Sequence, residues 1–405
     1  MPAPASDLGS EAPLAVESVA ADSPPPQLPD DDFWYQAVAA ASRGSQRAAA
    51  ATTAEDWSQV AQAWGEAVVL LQTIPADDPR QGFSQRKARE YLQNLQIAQA
   101  RAEQKGLERV FPTLGSPVLD EQVSLYQSYV ATLGAPDVLI VGSSRSLQGI
   151  DPQVLQQALA YEGRPGLRVY NFSVNGATAQ VVSFILRRLL AEDLHPRLVI
   201  WAEGSRAFNS GRFDRTFAEI LASPGYAAVA AGAQLTTQPA PDQAAAAAPK
   251  PLGTVPVSLI TAQGFLPVND QFNPRVYYQT FPQVRGAYDN AYRPFRLAGL
   301  QTDSLNAVTE FLKSRQIPLV FVNLPLSDDY LDPVRLGYEL QFQAFLQGQA
   351  QAGAMTVVDL LETWRWQSHL FADPSHVNRY GAREVARLLA ADGRVPWPQV
   401  TQDLE

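Results

Sequence analysis

From residue 137 onward, short β-branched and aromatic runs alternate with stretches of helical periodicity. The runs are DVLIVG, LRVYNFS, RLVIWA, PLVFVNLP and MTVVDL. Helices fit between them, over Gln180–Ala191 and Ser304–Arg315. A strand that is apolar along its whole length must be covered on both faces. Strands that alternate with helices supply that cover through parallel crossovers. Five such strands suit an α/β fold with a doubly wound, flavodoxin-like parallel sheet over 137–395.

Upstream the pattern is helical. Trp57, Val60, Trp64, Val68 and Leu71 step by three or four and share one face. Thr52 and Glu55 have capping-box spacing at its start. Pro75 and Asp77-Asp78-Pro79 stop that helix. Tyr91, Leu95 and Ala98 mark another helix, and an earlier one covers Phe33 to Ala51. The region 31–105 is therefore expected to be a helical hairpin of tetratricopeptide-like form. It serves either as a packed cap or as a docking module for a protein partner. Residues 106–136 read as a connecting segment. Residues 1–30 hold seven prolines and few large apolar side chains, too little to offset ordering entropy, so disorder is expected. Between the third and fourth strands lies an insertion over 227–300. Its 227–251 part is low-complexity, and its 255–300 part is rich in aromatics and proline. That second part reads equally as a lid or as an arm packed on the core.

Composition excludes several chemistries. There is no cysteine, hence no thiol nucleophile, disulfide or cysteine-ligated metal. The three histidines, His195, His369 and His376, leave little for a histidine metal site, and no metal or cofactor is expected. The net charge of −10 argues against a nucleic-acid partner. Seven acids and no base lie in the first 32 residues, so this charge says little about a substrate. No basic-then-apolar leader opens the chain and no stretch reaches about 20 apolar residues, so neither a signal peptide nor a membrane span is read. As written the chain is expected in the cytoplasm.

In open α/β sheets, ligands bind beyond the carboxyl ends of the strands. The first strand runs into Gly142-Ser143-Ser144, a tight turn that makes Ser144 either a nucleophile or a helix-start residue. The second runs into Asn171-Phe172-Ser173-Val174-Asn175-Gly176, where the Gly176 amide suits an oxyanion. The third runs into Glu203-Gly204-Ser205-Arg206 and then Asn209, where Arg206, Asn209 or Ser205 can donate. After the fifth come Asp373 and His376, three apart, where a carboxylate can orient an imidazole or simply serve a helix start.

Taken in order, these blocks resemble the SGNH (GDSL-like) hydrolase superfamily over about 137–390. Ser144 takes the nucleophile position of the first block. Asn171 and Gly176 match the second block. Asp373 and His376 match the last, followed by Asn378 and Gly381. In the third block Arg206 stands where the family has Asn. The wider pattern also looks like that of a cyanobacterial group with a Gly-Ser-Ser first block. The resemblance implies a Ser144–His376–Asp373 triad in an esterase or O-acyltransferase. Gly176, Arg206, Asn209 and Asn171 would then serve the oxyanion or substrate. The expected partner is a small-molecule or glycan ester. The rival reading is a non-catalytic scaffold that docks proteins through 31–105.

Overall fold

A computed structural model describes residues 32–74, 78, 80–104, 111–236, 260–281, 283–284 and 292–399. The 1–30 tail and most of the low-complexity insertion lie outside the described residues, as do Pro75, Asp77 and Pro79. Four helices come first: α1 (Phe33–Ala50), α2 (Ala54–Gln72), α3 (Gln81–Gln104) and α4 (Pro117–Leu133). The α/β part follows as β1 (Val138–Gly142), α5 (Ser144–Gly149), α6 (Pro152–Tyr161), β2 (Val169–Asn171), α7 (Ala179–Phe184) and β3 (Leu198–Glu203). Two short helices, α8 (Arg215–Leu221) and α9 (Pro224–Ala230), lead into the insertion, which carries α10 (Pro274–Thr280). Then come α11 (Leu300–Ser314), β4 (Leu319–Asn323), α12 (Pro333–Gln351), β5 (Thr356–Asp359), β6 (Phe371–Asp373), β7 (His376–Val377) and α13 (Arg379–Ala391).

The five expected runs form one sheet in the order β2-β1-β3-β4-β5, and every pair in it is parallel. This order is compatible with a flavodoxin-like α/β fold. Side chains alternate between two covered faces, as the period-two geometry of a strand requires. Val138, Ile140, Ile200, Val320 and Val358 face α6 and α13, meeting Leu155, Leu159, Val385 and Leu389. Leu139, Val141, Trp201 and Phe321 face the other way, towards α4, α7, α11 and α12.

The amino-terminal region is helical. Three helices are present, with α1 packed on α2 and α2 on α3. The expected apolar stripe of α2 is buried, from Trp57 to Leu71. Its capping box lies one residue later than expected. Thr53 Oγ accepts the Asp56 N–H, and Asp56 in return accepts the N–H of Thr53. Both pairs share the spacing; the Asp56 carboxylate also takes the Thr52 N–H, at 3.0 Å, and so closes the turn on both residues. The supposed connector 106–136 is also different, because α4 belongs to the core. Tyr126 of α4 meets Tyr170 and Phe172 edge-on, at 4.8 and 5.1 Å. Gln122, fully buried, donates from Nε2 to the carbonyls of Asn171, Ser173 and Gly264. Among the described residues no helix is long and apolar enough to cross a membrane.

Candidate active site

The carboxyl edge of the sheet carries the site. Gly142 closes β1 opposite Ala202 of β3, with φ of +153°. A Cβ on it would sit 2.1 Å from the Ala202 carbonyl oxygen. Only glycine fits there, and the chain turns directly into α5. Ser143 caps that helix: its carbonyl accepts the Leu147 N–H at 2.9 Å and its hydroxyl accepts the Arg145 N–H at 3.4 Å. Ser144 is thereby the first residue of α5, with its side chain half-buried.

Asp373 and His376 lie on a two-stranded antiparallel hairpin. They are direct partners across β6 and β7. The Asp373 Oδ1 atom accepts the N–H groups of Ser375 and His376, at 2.7 and 3.0 Å, and the Ser375 hydroxyl at 3.1 Å. That fixes the carboxylate plane and leaves Oδ2 for His376 Nδ1 at 2.8 Å. A carboxylate only accepts, so Nδ1 carries the proton and Nε2 is a bare acceptor. Ser144 Oγ lies 2.9 Å from Nε2 and donates to it. Burial alone would push the Asp373 carboxyl up. The bond and charge of His376, with the Ser375 donors, outweigh burial and hold it at about 2. Asp373 is therefore ionised at neutral pH.

The hairpin is itself anchored. Asn378 caps α13 and donates from Nδ2 to the carbonyls of Phe371 and His369. Ser327 donates to the Pro374 carbonyl at 2.8 Å. Ser144 thus meets His376, 232 residues along the chain, because the turn after β1 and the β6–β7 hairpin converge on one edge.

The other expected residues are placed unequally. Asn171 is buried, and its amide donates to the carbonyls of Ser146 and Ile150, bracing the end of α5. Gly176 is exposed on the loop after β2 with φ of +73°. Arg206 is half-buried on a 3₁₀ turn over Ser205–Phe208, 5.9 Å from the Tyr330 ring centre. Asn209 is fully buried; its Oδ1 accepts the N–H groups of Gly211 and Arg296, which commits it to holding a loop. His195 packs edge-on against Phe311, and His369 is exposed. Of the insertion's tyrosines, Tyr277 packs among Phe272, Tyr278 and Phe281. Tyr292 is buried and bonded to Tyr330. The segment around them is tied to the fold, with Leu266 N–H on the Leu147 carbonyl and Phe272 N–H on that of Phe371.

Glu203 and Arg145 received no role from the sequence. Both are buried beneath the Ser144 turn. The signal for Glu203 was a carboxylate closing an otherwise apolar strand. Among the described residues no cluster of three His, Asp or Glu side chains is arranged to hold a metal ion. No family model, no curated protein and no solved structure matches the chain.

Proposed function

We propose that the chain is a serine-dependent ester hydrolase or O-acyltransferase, built on a flavodoxin-like sheet of the SGNH kind that its motifs resemble. The observation that carries this reading is the continuous hydrogen-bond chain from Ser144 through His376 to Asp373, at 2.9 and 2.8 Å. Nucleophile, base and orienting carboxylate within that reach are the constellation that activates a hydroxyl.

Ser144 Oγ attacks the ester carbonyl while His376 Nε2 takes its proton. The C–O bond to the leaving group breaks, and His376 returns the proton to that oxygen. Water or an acceptor hydroxyl then attacks the acyl-serine by the same route in reverse. The imidazolium formed in each step faces the ionised Asp373. The N–H groups of Ser144 and Gly176 are the proposed oxyanion donors, with Arg206 as the charged third. Asn209 drops out of this set because its side chain is fully buried and offers no surface to a ligand.

The scaffold reading is favoured by the absence of an Asn at the third-block position where Arg206 stands, and by the low-complexity insertion. Turnover decides between them. The wild type should cleave p-nitrophenyl acetate at least a thousandfold faster than Ser144→Ala, and product analysis with an added sugar acceptor separates transfer from hydrolysis. Equal rates for the two proteins would remove the enzymatic reading.

A further inference from the structure

We propose that Glu203 is a positioning residue for Ser144, its carboxylate fixing the turn from which the Ser144 hydroxyl reaches His376. This rests on the reading of Ser144 as the nucleophile.

Glu203 is the last residue of β3, one step beyond the Gly142–Ala202 pair. Its side chain therefore crosses from β3 to the turn that leaves β1. Oε2 accepts the Ser143 N–H at 2.7 Å. Oε1 accepts the Ser143 hydroxyl at 3.0 Å and the Gly204 N–H at 3.0 Å. Two of the three donors thus belong to the residue immediately before Ser144. Holding both the backbone N–H and the hydroxyl of Ser143 fixes its orientation, and with it the direction of the next Cα–Cβ bond. A rigid direction matters because the Ser144–His376 bond is a single 2.9 Å contact. A displacement of about 1 Å can cost a hundredfold in rate.

A carboxylate this deeply buried, 3% exposed, is costly unless charge and donors compensate it. The donors are those three. The countercharge is Arg145, also 3% exposed; its field and those donors offset part of the burial, which still holds the Glu203 carboxyl above its ordinary value. Its guanidinium lies against Gly204, where a Cβ would come within 1.9 Å of Nη1. It also lies 5.3 Å from the Tyr330 ring centre. No hydrogen-bond partner meets any of its three nitrogens among the described residues, so it acts by field and packing. An apolar residue at 203 would fill the space. It would leave the Ser143 N–H without its acceptor and the turn unheld. Glu203 bonds to Ser143 and not to Ser144, so it positions the nucleophile and exchanges no proton with it.

The test is Glu203→Gln, which keeps the shape but puts an N–H₂ where carboxylate oxygens accept two backbone N–H groups and a hydroxyl. Two readouts are followed. One is the rate of labelling by a fluorophosphonate, which reacts with activated serine hydroxyls. The other is the ¹⁵N resonance of His376 Nε2 in histidine-labelled protein, where only three histidines need assignment. Ser144→Ala supplies the value without the hydroxyl bond. Leu312→Ala, a buried change on α11, controls for lost stability. Glu203→Gln should label at least tenfold slower and move the Nε2 resonance at least halfway to the Ser144→Ala value. Leu312→Ala should leave both at wild-type values. Ser143→Ala, which spares the two backbone donors, should shift both readouts in the same direction by less, and decides the matter if Glu203→Gln does not fold. Wild-type values for both readouts in the folded variant would overturn the proposal. If wild type takes no label, it is the nucleophile reading that fails, and the Nε2 resonance alone decides the positioning claim.

Discussion

Replacing Asp373 with Asn changes one oxygen to an N–H₂ and almost no volume. The structure dictates which way that amide must point. Oδ1 faces three donors, from Ser375 N–H, His376 N–H and the Ser375 hydroxyl, so the amide oxygen takes its place. The N–H₂ then occupies the Oδ2 position, 2.8 Å from His376 Nδ1. It can only donate, so Nδ1 must become the acceptor and the ring proton moves to Nε2. Ser144 now faces a donor where it had a base. The template for this loss is about 10⁴-fold in rate, which corresponds to about 5.5 kcal/mol of barrier. Stability should change far less. The Asp373 side chain is 46% exposed, and solvent screening leaves its pairing with His376 about 1 kcal/mol. The assay is fluorophosphonate labelling followed by intact mass, beside a denaturant melt. Labelling within tenfold of wild type would refute the tautomer argument.

Acid sensitivity follows from the same group. The Asp373 carboxyl falls from an ordinary 3.8 to about 2 in the folded chain. A depressed acid stabilises fully above its unfolded value and loses that contribution as pH falls from 3.8 towards 2. Asp373→Asn should flatten this part of the stability–pH curve, and a variant curve parallel to wild type would contradict the shift. Gly142→Ala meets the Ala202 carbonyl at 2.1 Å in a positive-φ backbone, at a cost of about 3 kcal/mol or more. Denaturant unfolding checks it, and a loss below about 1 kcal/mol would show that the turn yields. Gln122→Leu removes the side-chain donor from three carbonyls and leaves the Tyr170 hydroxyl only its longer, 3.4 Å bond to the residue-122 carbonyl, and should cost about 2–4 kcal/mol. A variant as stable as wild type would remove α4 from the load the core bears.

The sheet was legible because its strands are buried on both faces. Runs such as LVIWA have no polar phase to confuse with an amphipathic helix. Ser144, Asp373 and His376 were legible because short motifs sit where strands end. What the sequence hid was set by contacts between distant segments. The α4 helix looked like a connector because its polar Gln122 and Ser124 dilute the pattern, yet Gln122 is a core hydrogen-bond hub. Asn209 and Asn171 looked like donors to a ligand, but which way an amide faces depends on a loop or helix end far along the chain. Glu203 stood in plain view in the third block. Its meaning came only from the β1–β3 register, which brings it under Ser143. The capping box moved by one residue because two overlapping pairs carry the same spacing.

The central claim is that Ser144 is an activated nucleophile, and intact mass after fluorophosphonate treatment tests it most directly. The account requires a single adduct on wild type, mapped to the peptide containing Ser144 and absent from Ser144→Ala and His376→Ala. No adduct on wild type, under conditions that label a control serine esterase, would contradict it.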